Sequence, residues 1–393
     1  MKILLFSRSM PVHGIGGMER VAADIVTGLA DRGHSIHIVT TRPPMGIVPP
    51  ISPPGVTIEY VPGTLPGRYS RQWWRGSRAA FLHHLKKERF DVIFSVSAGA
   101  RSVLPVSDGV PSIMQAHGTS LSEFLSKLRS HKMRAFITSW WNFFNIPNDV
   151  VMFRRFTKIV AVGQAVKNSL QIPLLRSAVE DRLAVIPNGV DTDRFFPDCR
   201  MRERTRGRLR IPADAQVLVW SSRLHRQKGC HLAIAALSSL RDSNIVLLVL
   251  GDGPERRSLQ EDARRLNVAD RVVFAGNVEP DLVQEWLAAG DAFVFTTLRD
   301  EGLPLNVLEA MAMNLPCVLS RRLLSVIEGV ENVRGVYPVD PLVQKNIAAA
   351  FVAVMSTHGT ESRTFIQRFF SKEMMVSRYE TLLAEVAANG RAV

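Results

Sequence analysis

The chain has 393 residues, 46% hydrophobic and 22% charged, with three cysteines and a formal net charge of +13. That length and apolar content suffice for two domains with full cores and exclude large-scale disorder. Cys199, Cys230 and Cys317 are isolated and lack the spacing of a zinc site or a disulfide framework, so a reduced, cytoplasmic setting is expected.

Elements follow in chain order from apolar periodicity. Lys2–Phe6 reads as a strand, and its apolar run stops at Ser7-Arg8, too short for a signal peptide or a membrane span. Gly14–Gly17 reads as a loop, and Glu19–Arg32 as an amphipathic helix with Val21, Ala22, Ile25 and Leu29 toward a sheet. Gly33 stops that helix before the strand Ser35–Thr40. Between Pro43 and Pro66, prolines and glycines predict loop and short strand. Asp91–Ser95, Ser112–Gln115, Lys158–Val162 and Leu183–Ile186 are further strands, the last entering a Pro187-Asn188-Gly189 turn. The pattern breaks around Phe195–Pro197, then resumes with strands Val217–Trp220, Ile245–Leu250, Val272–Ala275 and Ala292–Thr296 and a final helix over Ser371–Ala388. Alternation of strand and helix predicts an α/β protein of two Rossmann-type halves, residues 1–195 and 196–371, each a parallel sheet with helices on both faces.

The surplus positive charge calls for an anionic partner: nucleic acid, anionic lipid or a small anionic substrate. No nucleic-acid module is visible. Arg200–Arg210 reads as a basic linker and helix start, chiefly a solvated face. From Lys127 to Lys158, basic residues including Lys132 and Arg134 flank an aromatic run with Trp140, Trp141, Met152 and Phe153. Two readings stand: a helix lying in the headgroup region of an anionic membrane, or aromatics that pack the first domain.

The densest signal is Asp300–Pro316, D-E-G-L-P-L-N-V-L-E-A-M-A-M-N-L-P. The strand before it places Glu301 on a loop at a strand's C-terminal end, where open α/β sheets bind ligands. Pro304 suits a first helical turn, and Leu305, Leu308, Ala312 and Leu315 repeat at helical spacing, which puts Glu309 about one turn into that helix. Gly14, Gly16 and Gly17 between strand and helix let backbone N–H groups approach an anion, although Glu19 departs from the dinucleotide pattern G-x-G-x-x-G. Arg223 and Lys228 in S-S-R-L-H-R-Q-K-G can neutralise a diphosphate. Asp191-Thr192-Asp193 has the form of a metal-binding Asp-x-Asp but sits in a turn, and the metal reading is rejected.

Glu301, Glu309, Ala310, Met311, Ala312 and Pro316 match the signature of retaining glycosyltransferases of the GT-B fold, family 4, which the chain resembles over nearly its whole length. Further marks stand in order at Gly14–Glu19, His117, Asn188–Asp191, Arg223–Gly229 and Gly251–Pro254. The resemblance implies two Rossmann-like domains facing across a cleft, with the C-terminal helix 372–393 returning to the first. It implies catalytic roles for His117 near the donor sugar, Arg223 and Lys228 on the diphosphate, and Glu301 on the transferred sugar. Gly16, Gly17, Asn188, Gly251, Gly253, Gly302, Leu303, Leu305 and Glu309 are the implied donor-binding positions, with Glu309 on the ribose hydroxyls. No metal and no cofactor beyond the nucleotide-diphosphate sugar is expected.

The chain departs from the family at Asn314, where glycine is usual, and at Ser320–Ser325, where a Gly-Gly-x-Pro-Glu segment is usual. The expected activity is transfer of a hexose-type sugar to a lipid-linked or cell-envelope glycan, on the cytoplasmic side and in contact with an anionic membrane surface. The alternatives are a soluble transferase or phosphorylase acting on a small sugar or sugar phosphate, and a noncatalytic sugar-nucleotide-binding protein of the same fold.

Overall fold

A computed structural model describes residues 1–14, 16–49, 51–107, 109–118 and 148–390. The chain divides into two compact units, Met1–Asn188 with the segment from Lys372 onward, and Gly189–Ser371. No helix among the described residues is long and apolar enough to cross a membrane.

The first unit is a parallel sheet of β1 (Lys2–Phe6), β2 (Ser35–Thr41), β3 (Val56–Val61), β4 (Val92–Val96), β5 (Ser112–Ala116), β6 (Lys158–Ala161) and β7 (Leu183–Val185), in the order β3-β2-β1-β4-β5-β6-β7. Its helices are α1 (Gly17–Asp31), α2 (Arg71–Leu85), α3 (Gln164–Leu170) and α4 (Pro173–Val179), joined by the C-terminal helix Lys372–Gly390. That last helix buries Met375, Val376, Tyr379, Leu382, Leu383 and Val386, a 3.6-residue stripe, with Tyr379 stacked on Phe94 at 5.6 Å between ring centroids. It packs on α1 so closely that a β-carbon on Gly28 would lie 2.6 Å from a Val376 methyl.

The second unit repeats the design with β8 (Gln216–Ser221), β9 (Ile245–Leu250), β10 (Val272–Gly276), β11 (Ala292–Phe295), β12 (Cys317–Ser320) and β13 (Val336–Val339), ordered β10-β9-β8-β11-β12-β13 and all parallel. Its helices are α5 (Cys199–Leu209), α6 (Cys230–Leu237), α7 (Arg256–Arg265), α8 (Val283–Ala288), α9 (Leu305–Ala312), α10 (Gln344–Met355) and α11 (Ser362–Phe369), so the C-terminal helix is α12. In both sheets the order reverses beside the first strand, between β1 and β4 and between β8 and β11.

One expectation is corrected and one holds in part. The first unit ends at Asn188, not at 195, because Val190 bridges Ser371 and the Arg363 guanidinium binds the carbonyls of Thr192 and Phe195 at 2.9 and 2.6 Å. The basic run forms α5 and is a solvated face at Arg200, Arg204, Arg208 and Arg210, whereas Arg202 and Arg206 turn inward to bind Asp291, and Arg206, 9% exposed, also donates to the carbonyls of Ala289 and Ala215. Arg204 and Arg208 stand 3.7 Å from Glu285. Two of the run's six arginines are thus spent inside the unit, and the other four face solvent.

Candidate active site

At the reversal of the second sheet, the loop after β8 and the end of β11 are fastened together. Thr296 Oγ1 donates to the Gly229 carbonyl at 2.8 Å, and the Leu298 N–H donates to the Gln227 carbonyl at 2.8 Å. Gly229 has φ +79°, and a β-carbon there would fall 1.9 Å from the Thr296 carbonyl oxygen, so only glycine permits this approach. Lys228 is thereby brought to Glu301.

The Lys228 ammonium bonds both carboxylate oxygens of Glu301, at 2.8 and 2.9 Å, and lies 5.6 Å from the Phe295 ring centroid. Thr297 Oγ1 stands 2.9 Å from Glu301 Oε1 and accepts from the Arg299 N–H. Glu301 is 9% exposed and the Lys228 side chain 21%, so the pair is largely withdrawn from water. An ammonium has three donors and two are used here; a carboxylate has further lone pairs beyond those occupied. The assembly can therefore take an anionic oxygen on Lys228 and a hydroxyl on Glu301 together.

Arg223 is exposed on the same post-β8 loop, as is Arg226. Gly251 and Gly253 are half-buried and pack tightly against this loop: a β-carbon on Gly251 would meet the Ser222 carbonyl at 2.0 Å, and one on Gly253 the Leu224 carbonyl at 2.4 Å. The Asp252 carboxyl, bonded by the Gly253 N–H and by Arg256, is held below the usual carboxylate range.

Gly302, Leu303 and Pro304 lead into α9, with Pro304 as the residue before its first turn. Leu305 is half-buried, and Val307 through Ala312 are buried all round, which embeds Glu309 at 8% exposure. Asn306, absent from the sequence-based set, donates to the Ser221 carbonyl at 2.6 Å and fastens the start of α9 to the end of β8. Asn314 does take the left-handed conformation, φ +57°, that its place at the helix end demands. Where the family usually has Gly-Gly-x-Pro-Glu, Ser320 starts a 3-10 turn over Arg321–Leu323, and Arg322 pairs with Asp300 at 3.1 Å, next to Glu301.

The remaining expected residues lie in the first unit, apart from Asp191 just past its end. Gly16 caps α1 and Gly17 opens it; Glu19 folds back onto Ser9, and His13 fixes the loop by bonding the Met10 N–H at 3.0 Å and the Thr41 carbonyl at 2.8 Å. Asn188 is buried at the unit's end, its Oδ1 without a hydrogen bond. Asp191 spends its carboxylate on a turn, accepting from the N–H groups of Asp193 and Arg194.

His117 Nε2 lies 3.0 Å from Gln115 Oε1, and Gln115 Nε2 donates to the Tyr379 hydroxyl at 3.0 Å. Burial, with Arg8 as a second cause, lowers the His117 pKa to about 4. The imidazole is then neutral at neutral pH, with Nε2–H given to Gln115 and Nδ1 left as an acceptor. Arg8 was missed in the sequence, although it stands in Ser7-Arg8-Ser9 right after β1; its buried Nε makes no hydrogen bond and its guanidinium lies over Tyr69.

A pH prediction follows. Because the folded-state pKa of about 4 lies below the ordinary 6.5, the unfolded chain binds more protons between those values. Stability from His117 is complete above pH 6.5 and is lost as pH falls toward 4. A histidine-resolved NMR titration is expected to show His117 unprotonated at pH 5.5; a midpoint near 6.5 would contradict the buried neutral assignment.

Lys132, Arg134, Trp140 and Trp141 lie outside the described residues. At the edge of that segment, Met152 and Phe153 are buried in one cluster with Phe156 and Ile159, which supports core packing for this end of the aromatic run.

Two doubly wound parallel sheets, the second carrying a cation–carboxylate assembly at its switch point, define a GT-B α/β fold. A family model described as Glycosyltransferase Family 4 matches residues 15–194, and one described as Glycosyl transferases group 1 matches residues 215–357. The chain belongs to the group 1, family 4 glycosyltransferases. It is 28% identical over 241 residues to putative glycosyltransferase EpsF of Bacillus subtilis, covering 58% of this chain and 60% of that one. It is 25% identical over 296 residues to the putative teichuronic acid biosynthesis glycosyltransferase TuaC of the same organism, covering 75% of this chain and 66% of that one. These matches span less than two thirds of the relatives' own length. Among solved structures, sucrose-phosphate synthase of Thermosynechococcus elongatus superposes with TM-score 0.79 at 18% identity, covering 99% of this chain and 100% of that one, a likeness of fold.

Proposed function

We propose that the protein transfers a hexose-type sugar from a nucleotide-diphosphate sugar to a lipid-linked or cell-envelope glycan acceptor, with retention of configuration. The observation that carries this reading is the Lys228–Glu301 pair beside Arg223 at the switch point of the second sheet. The third donor of Lys228 and the guanidinium of Arg223 meet the charge that grows on the diphosphate as the glycosidic bond breaks. With two cations at the leaving group, no metal is required there. Glu301 orients Lys228 and offers its remaining lone pair to a sugar hydroxyl, and Glu309 accepts from the ribose hydroxyls. Neutral His117 accepts a hydroxyl hydrogen bond without acting as a base. The acceptor attacks from the face the diphosphate leaves, through an ion-pair-like state, with no protein nucleophile.

On the acceptor side, the half-buried Arg8, whose charge acts on His117, suits an acceptor that carries negative charge. TuaC, by its name a teichuronic acid biosynthesis enzyme, supports a cell-envelope polymer. The segment with Lys132, Arg134, Trp140 and Trp141 would hold the protein to the cytoplasmic face of an anionic membrane. Salt-sensitive binding to anionic liposomes, lost when Trp140 and Trp141 are replaced by Ala, tests that part; no binding would favour a soluble acceptor.

The test of transfer itself is incubation with each nucleotide sugar and a lipid extract, with NMR of the product's anomeric carbon. An α product from an α donor supports retention, and an inverted product overturns it. The Arg322–Asp300 pair, in place of the family's usual donor-side loop, favours a second reading, nucleotide-sugar binding without transfer. Binding accompanied by neither transfer nor donor hydrolysis with any acceptor would establish that reading.

A further inference from the structure

β2 and β3 are neighbours at one edge of the first sheet, and α2 packs across them. Their parallel register sets His37 beside Thr57 and Val39 beside Glu59, so His37 and Glu59 emerge on the same face as diagonal neighbours. The last turn of α2 brings His84 onto the same spot. His84 Nε2 lies 2.6 Å from Glu59 Oε2, and His37 Nε2 lies 3.5 Å from that same oxygen. The two imidazoles are 4.1 Å apart between centroids, and one ligand atom from each of the three residues lies within 4.8 Å of the others.

The second nitrogen of His37 is anchored: Nδ1 stands 2.7 Å from Thr57 Oγ1. With the ring proton given to that hydroxyl, Nε2 carries a lone pair directed into the cluster, where it is buried and makes no hydrogen bond. In that tautomer the lone pair faces a carboxylate oxygen 3.5 Å away, an arrangement that a bound cation relieves, whereas the other tautomer points Nε2–H at Glu59. An outer hydrogen bond on the remote ring nitrogen is also how metal-bound histidines are oriented. The C-terminal end of α2, where His84 sits, adds the negative end of a helix dipole.

We propose that His37, Glu59 and His84 bind one first-row divalent cation, Zn²⁺ being the best match, through the two Nε2 atoms and a Glu59 oxygen, with water completing the coordination. Two imidazoles and one carboxylate form a borderline donor set that suits Zn²⁺ and disfavours Mg²⁺ and Ca²⁺. Binding replaces the proton shared by His84 and Glu59 and ties the edge strand β3 to β2 and α2. The site is made wholly of the first unit's residues and is independent of the cation pair at the second sheet, so its failure leaves the transferase reading untouched.

The experiment uses the full chain, stripped with EDTA and dialysed, then titrated with Zn²⁺ by calorimetry and by thermal melting. One saturable site per chain and a raised melting temperature are expected. His37→Gln, Glu59→Gln and His84→Gln should each abolish that event, whereas His83→Gln on the neighbouring exposed position and Cys199→Ser should keep it. Thr57→Val, which alters no ligand, should weaken affinity about 10- to 100-fold by releasing the His37 ring; it keeps the test decisive should a ligand variant fail to fold. No saturable event in the wild type, or an undiminished one in the folded His37 and His84 variants together with unchanged affinity in Thr57→Val, overturns the proposal and leaves a proton-bridged His–Glu pair.

Discussion

Replacing Lys228 by Ala is expected to lower the turnover number about 10²- to 10³-fold, the loss seen when one preorganised donor to a developing charge is removed. The same change strands Glu301, 9% exposed, with Thr297 as its remaining partner, and should cost roughly 1–3 kcal/mol of stability. Structure and kinetics then make a joint prediction. Because Lys228 occupies both oxygens of Glu301, part of what Glu301 does is to aim Lys228. Glu301→Gln should therefore reduce turnover too, and Lys228→Ala with Glu301→Gln should lose less than the product of the single losses. Strictly multiplicative losses in a double-mutant cycle would mean that the two residues act separately, one on phosphate and one on sugar.

Replacing Glu309 by Ala should act on donor binding instead. Two charge-assisted hydrogen bonds to ribose hydroxyls, at about 1.5–3 kcal/mol each, predict a loss of donor affinity on the order of 10²-fold or more, with a smaller change in turnover. The specific readout is discrimination: the wild type should prefer a nucleotide to its 2′,3′-dideoxy analogue, and Glu309→Ala should erase that preference. A variant that still discriminates would place the ribose elsewhere. Glu309 lies on a helix buried all round, so its placement depends on packing that the substitution leaves intact.

Much of this site was legible in sequence because its parts are local. The apolar run Ala292–Thr296 marks β11, and the leucine spacing after Pro304 marks α9, so the sequence places Glu301 on a loop and Glu309 about one turn into a helix. The pairing of Lys228 with Glu301 was not legible, because 73 residues separate them and only the β8–β11 adjacency joins them. Thr297 and Asn306 escaped for the same reason: their work is to hold one strand end to another, and an isolated Thr or Asn carries no such mark. Arg202 and Arg206 looked solvated because charge periodicity says nothing about Asp291, which lies at the start of β11. The edge strands were faint for a different reason. β13 contains Pro338, which an edge tolerates because one side of the ladder is unpaired, and β3 is framed by turn residues. α2 hides its buried stripe behind Ser77 and Ala80, residues with little hydrophobic signal, among arginines and histidines.

The central claim is that the switch point of the second sheet binds a nucleotide-diphosphate sugar without a metal. Thermal melting with UDP-, GDP- and ADP-sugars, each compared with the same EDTA-treated protein without donor, tests it most directly, since a ligand that binds only the folded chain must stabilise it. One donor class is expected to raise the melting temperature in EDTA, and Arg223→Ala and Glu309→Ala to diminish that shift. A shift that vanishes in EDTA and returns with added divalent cation, or one unchanged in both variants, would contradict the account.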